Sequence, residues 1–482
     1  MTDDSIKLPF IVISILAIAA GLWLYDPFPL YFLNDDFIHI PLSKDLVLFQ
    51  RKSFRPVCDL SVALDYFLWK KEAWGYHLTN LLLHLADSLL VYVLAKKLFE
   101  KYVSKSNKAV SVFAAVLFFI YPFHSEAIYW IIGRSGSLGA LFFLPALIFY
   151  LRRNEKPAYL FFSLFFFSVG LLTYESVWIF PLVAAGISIL DINAKSAVVK
   201  KEARWLMIII SLFIAFLIIR YAVIGEVAGN YDAAAFKHLQ VENLLLNGLR
   251  LFIRSLSPPV ETVLGFFYAL IVIIALVLLA LIIVRKNKNS SSLTIFLFAS
   301  FIASLLPYLS LGIDTHGTEG ERFLYLPSLF ICMLIGHFIF CFINARVRIY
   351  VIGLVIIYCI FFLFSSQKNY STAGKISQQT IEELQKMEGK KRLFVDSLPE
   401  ECGGAVIFRS GFYEAVKWMK PVPAFDNIFV SSSRPSIRNG VVYKVFYSDT
   451  TLFQKQLSLL PDYNQATDVV LLYSDTTLLI VR

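Results

Sequence analysis

Residues 11–40 read IVISILAIAAGLWLYDPFPLYFLNDDFIHI. This apolar run leads directly to two adjacent acids, Asp35 and Asp36. Adjacent like charges repel each other, and apolar neighbours raise the cost of burying them in ionised form. A solvated turn here could use Asn or Ser instead. The acidic pair therefore marks either a polar stop at a membrane boundary or a functional site at the membrane surface.

The composition is that of a membrane protein. Of the 482 residues, 58% are hydrophobic and only 16% are charged, whereas soluble domains are nearer 45–50% apolar with about 25% charged. The net charge of +9 comes largely from short loops, so we do not expect a nucleic-acid partner. The five cysteines form no CxxC pair and no metal-ligand spacing with histidine, which argues against a zinc site and a disulfide framework.

The hydropathy pattern predicts about eleven membrane spans, because a span needs roughly 17–25 apolar residues. The first is expected to be an uncleaved span, since Met1–Lys7 is not strongly basic and no cleavage site follows. The predicted spans are 8–25, 76–98, 109–122, 136–151, 157–173, 175–190, 204–224, 260–284, 293–311, 323–343 and 348–366.

Basic residues cluster in alternate loops, after the second, fourth, sixth, eighth and tenth predicted spans. Loops rich in Lys and Arg are typically cytoplasmic. We therefore expect a cytoplasmic N-terminus and an extracytoplasmic C-terminus, in a multi-pass protein of a bacterial inner membrane. The predicted domains are an all-α membrane domain over 1–366 and an extracytoplasmic α+β domain over 367–482.

Two outer loops contain predicted interfacial helices. Arg55-Pro56 begins a helix to Trp69, because proline suits the first helical position. One face of this helix is apolar and is expected to contact membrane lipids; it carries Leu60, Leu64, Phe67 and Leu68. In the loop 225–259, a second such helix is predicted with one polar stripe, which suits contact with lipid headgroups; its members are Gln240, Asn243, Asn247, Arg250 and Arg254.

The C-terminal part is less apolar. A polar helix is predicted over 371–389 and a short one near 412–418. Strand-like runs are 393–395, 405–408, 441–447, 469–473 and 478–481, and Ser474-Asp-Thr is typical of a hairpin turn. No nucleophile elbow, P-loop or metal motif is present in this part of the sequence, and no chemistry is assigned to it.

Ionisable groups recur at the outer ends of the predicted spans. Each alone is typical of a boundary or snorkelling residue, but together they favour one polar cavity shared with Asp35 and Asp36. A transporter would place such groups nearer mid-span. The groups are His124, Glu126, Arg134, Glu175, Glu319, Glu321 and Arg322.

Arginines opposite carboxylates indicate a reaction class. Arg134 and Arg322 match phosphate oxygens in a bidentate manner, and a carboxylate can take the proton of an attacking hydroxyl. Together they fit displacement of a sugar from a lipid phosphate.

Several motifs resemble one known family, the TMTC O-mannosyltransferases and their bacterial relatives. They are Phe54-Arg-Pro-Val-Cys-Asp-Leu-Ser with Trp74-Gly-Tyr-His77 through His84; Tyr121-Pro-Phe-His124-Ser-Glu126-Ala; Gly133-Arg134; Tyr174-Glu175; and Gly320-Glu321-Arg322-Phe-Leu-Tyr325-Leu-Pro-Ser328. The resemblance covers about residues 30–345. Two departures are clear: the chain lacks the family's tetratricopeptide repeats, and Tyr174 replaces a lysine.

The resemblance implies a GT-C glycosyltransferase that inverts the anomeric centre and uses a polyprenyl-phosphate sugar. It implies that Asp35 is the general base and that Asp36 holds the geometry or binds a divalent metal. We expect Arg322, Arg134 and Arg55 to bind the donor phosphate. The other expected site residues are His77, His124, Glu126, Glu175, Glu321 and Tyr325. The missing repeats leave a protein or a glycan as the acceptor and favour undecaprenyl phosphate as the carrier.

Two other functions remain open on the sequence. One is a flippase or polymerase for lipid-linked oligosaccharides, and the other is a non-catalytic scaffold that presents the outer domain. Substitution of Asp35 and Asp36 distinguishes these functions, because a scaffold should tolerate the loss of the acidic pair and a flippase should still move lipid.

Overall fold

The structure is a computed structural model. It describes residues 17–46, 54–103, 108–194, 198–227, 240–259, 288–386, 392–396, 398–419, 427–430, 468–474 and 477–481, with a few helical positions between 265 and 273. The fold is mostly helical, with short strands near the C-terminus.

The helices follow the apolar runs of the sequence. In chain order they are α1 (17–25), α2 (Asp36–Lys44), α3 (Pro56–Trp69), α4 (Ala73–Tyr102), α5 (Lys108–Phe119), α6 (Glu126–Tyr129), α7 (Ser135–Leu151), α8 (Pro157–Leu171), α9 (Phe180–Asn193), α10 (Val199–Ile224), α11 (Val241–Arg254), α12 (Lys288–Leu305), α13 (Tyr325–Phe342), α14 (Ala345–Gln385) and α15 (Phe412–Met419). Short 3-10 turns occur at Pro122–His124, Ile132–Arg134, Glu175–Ile179, Leu306–Tyr308 and Glu321–Leu324.

Six helical stretches in the described part are long and apolar enough to cross a membrane, and the chain is a multi-pass integral membrane protein. They are Ala73–Tyr102, Ile132–Leu151, Glu175–Asn193, Val199–Ile224, Glu321–Phe342 and Ala345–Gln385, with shorter apolar helices at Lys108–Phe119, Pro157–Leu171 and Ser292–Tyr308. These nine coincide with nine of the predicted spans. The predicted span 8–25 is helical over its described residues 17–25, and 260–284 lies almost wholly outside the described residues.

The centre of the bundle is α13, which packs against α5, α7 and α12. Its sequence is apolar on all sides, as expected of a helix with neighbours all round, and most of its residues are buried. Gly336 lies where an added Cβ would be 3.4 Å from the Val110 carbonyl oxygen of α5. This small residue lets the two backbones approach closely. In contrast, α10 exposes Met207, Ile214 and Ile218, as expected of a helix at the lipid boundary.

α14 is one continuous helix of 41 residues. The predicted span 348–366 and the predicted polar helix 371–389 are therefore parts of the same element, with no break at residue 366. At 1.5 Å per residue it is about 60 Å long, roughly twice the hydrocarbon thickness of a bilayer. The change to polar sequence near residue 366 thus marks a change of surroundings along the helix.

The helix predicted from Arg55-Pro56 to Trp69 is confirmed as α3, and its apolar face is exposed, with Leu60, Leu64, Phe67 and Leu68 all accessible. The predicted polar stripe of the second such helix, α11, turns towards the protein where it makes its contacts. The Asn247 amide donates to the Leu309 carbonyl, and Arg254 is buried. The exposed positions of α11 include Val241 and Leu245. Asn247 and Arg254 of the stripe thus have partners in the protein, as buried polar groups require, whereas Gln240 and Arg250 are exposed.

The C-terminal strands are β1 Arg392–Asp396, β2 Glu401–Cys402, β3 Ala405–Val406, β4 Asn427–Val430, β5 Asp468–Ser474 and β6 Thr477–Val481. Four of them form a sheet in the order β4-β1-β5-β6. β1 pairs in parallel with β4 and β5, and β5 and β6 form the antiparallel hairpin that the sequence predicts. β2 and β3 make a separate two-stranded ribbon. The strand β4 was not predicted, and the predicted run 441–447 lies outside the described residues.

Candidate active site

A polar cavity of about 170 Å³ lies where two inter-helix loops meet the C-terminal part of the chain. Its walls come from the loop before α2, the α6 segment, the loop before α13, the C-terminal half of α14 and the segment after β2. Four of the groups predicted to share one cavity line it: Asp35, Glu126, Glu319 and Arg322. The full lining is Asn34, Asp35, Glu126, Trp130, Glu319, Arg322, Tyr370, Gly404, Val406, Arg409 and Ser410.

The loop that carries Asp35 is fixed by Asn34. Asn34 has a φ of 47°, a conformation that Asn tolerates better than most residues. Its backbone N–H donates to the Ile407 carbonyl at 2.7 Å, and its side-chain oxygen accepts the Ser410 N–H at 2.7 Å. Asp35 is the N-cap residue of α2, and its carbonyl accepts two N–H groups of the first turn. The helix start favours negative charge at this position, with the Asp35 side chain on the cavity wall.

Asp36 has a different environment from Asp35. Its side chain is fully buried, and its two carboxyl oxygens accept the backbone N–H groups of Leu33 at 2.9 Å and Ile132 at 3.1 Å. It therefore ties the acidic loop to the turn before α7. Burial, helped by the charge of Asp35, raises the pKa of Asp36 to about 8, although the two hydrogen bonds act in the opposite direction. Asp36 positions the loop, and Asp35 lines the cavity.

The raised pKa of Asp36 predicts a pH-dependent stability. Its folded-state pKa of about 8 is above the ordinary value of 3.8, so the folded state binds more protons between these values. The Asp36 contribution to stability should therefore fall as pH rises from about 4 through 8, by up to about 1.4 kcal/mol per pH unit. Thermal unfolding of detergent-solubilised protein between pH 5 and 8 measures this slope. Asp36→Asn should reduce it, and an unchanged slope would contradict the assignment.

Glu126 and Arg322 join the two loops that carry the best-matched motifs. The Arg322 guanidinium pairs with one Glu126 oxygen, and the other oxygen accepts the backbone N–H groups of Gly320 at 2.9 Å and Arg322 at 3.0 Å. Arg322 also lies over the rings of Trp130 and Phe323, at 5.2 and 4.6 Å from the centroids. Burial raises the pKa of Glu126, and Arg322 lowers it. Arg322 is thereby held in one orientation at the cavity.

Glu321, the residue before Arg322, also accepts a hydrogen bond and forms an ion pair. The Ser125 hydroxyl donates to Glu321 at 2.5 Å, and Arg254 pairs with the other Glu321 oxygen at 2.6 Å. Glu321 and Arg254 are each about 1% exposed. Glu321 lies beside a second, smaller cavity of about 90 Å³. It is thus a buried support for the Arg322 loop and does not line the cavity of Asp35.

Arg134 is placed away from the cavity. Its guanidinium is fully buried and pairs with Asp65 at 2.6 Å. It also donates to the Ser61 hydroxyl and to the carbonyls of Tyr76 and Ile131. Because its donors are directed at these partners, Arg134 fastens α3 and α4 to the start of α7. Arg134 is not among the residues that line the cavity.

Arg55 and Glu175 meet in a separate cluster. Arg55 pairs with one Glu175 oxygen at 2.7 Å, and Arg220 pairs with the other at 2.8 Å. Arg55 lies over the Tyr174 ring, 4.7 Å from its centroid, at the position where the resembled family has lysine. The cluster has one more guanidinium than carboxylate among these residues. It lies at the start of α3, in the turn before α9 and near the C-terminal end of α10, outside the set that lines the cavity.

The remaining predicted residues are buried among the helices. His77 approaches the Tyr31 carbonyl at 3.3 Å. His124 contacts the Ser328 hydroxyl at 3.0 Å, and burial lowers its pKa well below the usual range. The Tyr325 hydroxyl bonds with Asp87 and His84, both at 2.8 Å. These three residues are buried and are not among the residues that line the cavity.

Several important residues were missed on the sequence. Arg409 and Ser410 line the cavity, although no chemistry is assigned to the C-terminal part from sequence. Arg220 and Asp87 are ionisable residues inside apolar helices, and that placement alone is a usable signal, since such residues are costly in a membrane. In the part of the chain that is described, no group of three or more His, Cys, Asp or Glu residues is arranged to hold a metal ion.

Comparison with known proteins gives similarity to one group of enzymes over part of the chain. No family model matches. The chain is 37% identical over 108 residues to protein O-mannosyl-transferase tmtc2 of Xenopus laevis, 33% over 119 residues to TMTC3 of Homo sapiens, and 32% over 138 residues to TMTC1 of Mus musculus. These regions are 22–26% of this chain and 12–14% of the relatives. The predicted resemblance to the TMTC proteins is therefore confirmed over that part.

Among solved structures, the chain is similar to ArnT from Cupriavidus metallidurans. The form bound to undecaprenyl phosphate aligns with a TM-score of 0.42 and 10% identity, over 98% of this chain and 94% of that one. The apo form gives 0.39 and 9%. These values are too low to identify a shared function.

Proposed function

We propose that the chain is a GT-C membrane glycosyltransferase. It moves a sugar from a polyprenyl-phosphate donor to a hydroxyl of a protein or glycan acceptor, on the extracytoplasmic side, with inversion at the anomeric carbon. The observation that carries this proposal is the presence of a carboxylate and an arginine, Asp35 and Arg322, on one cavity at the ends of apolar helices. The similarity to proteins named O-mannosyl-transferases supports the reaction class.

Asp35 acts as the general base in the proposed reaction. The acceptor hydroxyl loses its proton to the Asp35 carboxylate as its oxygen attacks C1 of the sugar. The bond from C1 to the phosphate oxygen breaks on the opposite face, and the lipid phosphate leaves with the bonding electrons. General-base catalysis of this kind typically contributes 10²–10⁴-fold.

Arg322 stabilises the leaving phosphate. It lies directly before α13, so a phosphate attached to a membrane lipid reaches it from the bilayer side. The buried Glu126 and the two aromatic rings fix the plane of the guanidinium. A preorganised donor of this kind needs no reorganisation when charge develops on the leaving group. Asp36 and Glu321 are buried, and their hydrogen bonds hold the loops of Asp35 and Arg322 in position.

Orientation in the membrane is part of the proposal. It rests on the alternate basic loops, which place the acidic loop and the loop before α13 on the same outer side. α3 comes after the loop of Asp35 in the chain, and the apolar side chains exposed on α3 suit contact with membrane lipids.

Two experiments test the proposal. Mass spectrometry of glycans and glycoproteins from cells with and without the gene identifies the sugar and the acceptor. In vitro, purified protein is assayed with polyprenyl-phosphate hexoses and hydroxyl-bearing acceptors. An unchanged glycan profile together with no consumption of any hexose donor would contradict the proposal.

Arg322→Lys should lower turnover about tenfold or more. Lysine keeps the charge but loses the planar fork and the stacking on Trp130 and Phe323, and a hydrogen bond to a charged group contributes roughly 1.5–3 kcal/mol. Arg322→Ala should be slower still. The matched control is Arg346→Lys, because Arg346 is exposed and outside the cavity. Wild-type turnover in both Arg322 variants would remove this residue from the mechanism.

A further inference from the structure

We propose that residues 401–419, here called the cap segment, form the acceptor side of the cavity. Within it, Arg409 binds an anionic group of the acceptor, a carboxylate close to the reacting hydroxyl. This inference rests on the proposed function and specifies the acceptor's chemistry. It assigns a role to the C-terminal part of the chain.

The cap segment is fastened to the acidic loop. Asn34 makes two hydrogen bonds to it, one with Ile407 and one with Ser410. Gly411 has a φ of 82°, and an added Cβ would be 2.3 Å from the Asn34 carbonyl oxygen. The rings of Phe37 and Phe408 stack at 6.0 Å. The position of Asp35 therefore depends on the cap segment.

The same segment is fastened to the loop that carries Arg322. The Thr318 hydroxyl donates to the Gly404 carbonyl at 2.8 Å. Gly404 has a φ of 89°, and an added Cβ would be 2.3 Å from the Thr318 nitrogen. The cap segment thus bridges both loops of the proposed active site and closes the cavity between them.

Arg409 is the cation that the cap segment brings to the cavity. One terminal nitrogen pairs with Glu319 at 2.5 Å and the other with Glu401 at 3.0 Å. Its Nε is buried and has no hydrogen-bond partner among the described residues. A buried donor without a partner is costly. The unused donor of this guanidinium is Nε, which lies on the same edge as the Nη2 nitrogen that pairs with Glu401.

The two arginines of the cavity, Arg322 and Arg409, differ in how exposed their carboxylate partners are, and therefore in how easily a ligand can displace those partners. The Glu126 side chain that pairs with Arg322 is 7% exposed, and two backbone N–H groups also hold it. The Glu319 and Glu401 side chains that pair with Arg409 are 48% and 49% exposed. Exposed ion pairs contribute only about 0–1 kcal/mol. A ligand carboxylate can therefore replace Glu401 on Arg409 and bind side-on through Nε and Nη2.

The position of Arg409 indicates which substrate it meets. Arg322 begins a membrane helix, where a lipid-linked donor arrives. Arg409 belongs to a segment outside the long apolar helices, so a ligand from the aqueous side reaches it. The anion at Arg409 is accordingly assigned to the acceptor, and the donor phosphate is assigned to Arg322.

Paired acceptor probes test this inference. The donor is polyprenyl-phosphate mannose. The acceptors are a threonine peptide flanked by Glu, the same peptide flanked by Gln, and methyl glucuronide with methyl glucoside as the glycan pair. The wild type should use the acidic member of a pair about tenfold or more better in kcat/KM, as expected of one charged hydrogen-bonding contact. Arg409→Gln should reduce this preference to about one by raising KM for the acidic acceptor, and Arg409→Lys should restore part of it.

Glu401→Gln is the matched second variant. It weakens the competitor for Arg409 and should lower KM for the acidic acceptor. Equal use of the two members of each pair by the wild type would overturn the inference and leave the proposed transferase intact. A rise in KM for the donor in Arg409→Gln, without a change in acceptor preference, would place Arg409 on the donor side and also overturn it. No transfer to any of the four probes, with the donor left intact, would overturn the inference. The proposed transferase is overturned only if no hexose donor is consumed and the glycan profile is unchanged as well.

Discussion

Asp35→Asn should lower sugar transfer by about two orders of magnitude or more while the protein remains folded. The substitution keeps the size and shape of the side chain but removes the base that accepts the hydroxyl proton, and a general base is typically worth 10²–10⁴-fold. The Asp35 side chain lines the cavity, so the change should affect catalysis more than packing. Donor binding should be retained. The measurements are kcat and KM with a polyprenyl-phosphate sugar, together with the thermal unfolding midpoint.

The matched controls are in the same helix. Asp45→Asn changes an exposed acid at the other end of α2 and should leave transfer unchanged. Asp36→Asn should reduce stability, because one of its two backbone donors loses its acceptor. Normal transfer by Asp35→Asn with none by a folded Asp36→Asn would mean that Asp36 is the base. Full activity of both would place the reaction elsewhere, and retained lipid movement without any sugar transfer would favour a flippase.

Arg153→Met should destabilise the protein by about 3–5 kcal/mol, the usual result of removing one partner from a buried ion pair. The Arg153 side chain is fully buried, pairs with Asp191 at 2.9 Å and also contacts Glu202. Lys101 reaches the same Asp191 at 2.8 Å. This network joins the ends of α4, α9 and α10 beside α7. Without Arg153, two buried carboxylates share one lysine.

The test is the unfolding midpoint in detergent and its change in a second variant. Adding Glu202→Gln to Arg153→Met should recover part of the loss, because one uncompensated charge is removed, and the double-mutant cycle measures the coupling. The neighbouring Arg152→Met is the control. Its partner Glu155 is 53% exposed, so the change should be small. Similar midpoints for the Arg152 and Arg153 variants would show that the buried network contributes little.

Much of the membrane architecture could be predicted from sequence because it depends on local composition. Long apolar runs predict spans without any knowledge of their neighbours. The bounds of α3 follow from Pro56 and from an apolar face that the structure leaves exposed. The end of α14 was harder to predict. The sequence becomes polar near residue 366 because the helix leaves the apolar layer, and a change of solvent does not require a change of backbone.

The residues of the cavity were predicted less completely, because which side chains pair with one another depends on the tertiary structure. Asp35, Glu126 and Arg322 do line one cavity. Arg134 belongs to an equally clear motif, but its guanidinium forms an ion pair with Asp65, which lies 69 positions earlier in the chain. Arg409 has no motif of its own. Its relevance depends on the contacts that bring the cap segment to Asn34, and no local pattern reports those contacts.

The length of α14 sets the depth at which the proposed reaction takes place. Tyr370, on the cavity wall, is 25 residues beyond Ala345, where the helix begins; this corresponds to about 38 Å along the helix axis. The hydrocarbon layer is about 30 Å thick, so an upright helix starting at its inner boundary carries the cavity just past the outer one. That is the layer in which lipid phosphates already reside. A polyprenyl carrier can therefore keep its tail in the bilayer during transfer, and only the sugar has to enter the protein.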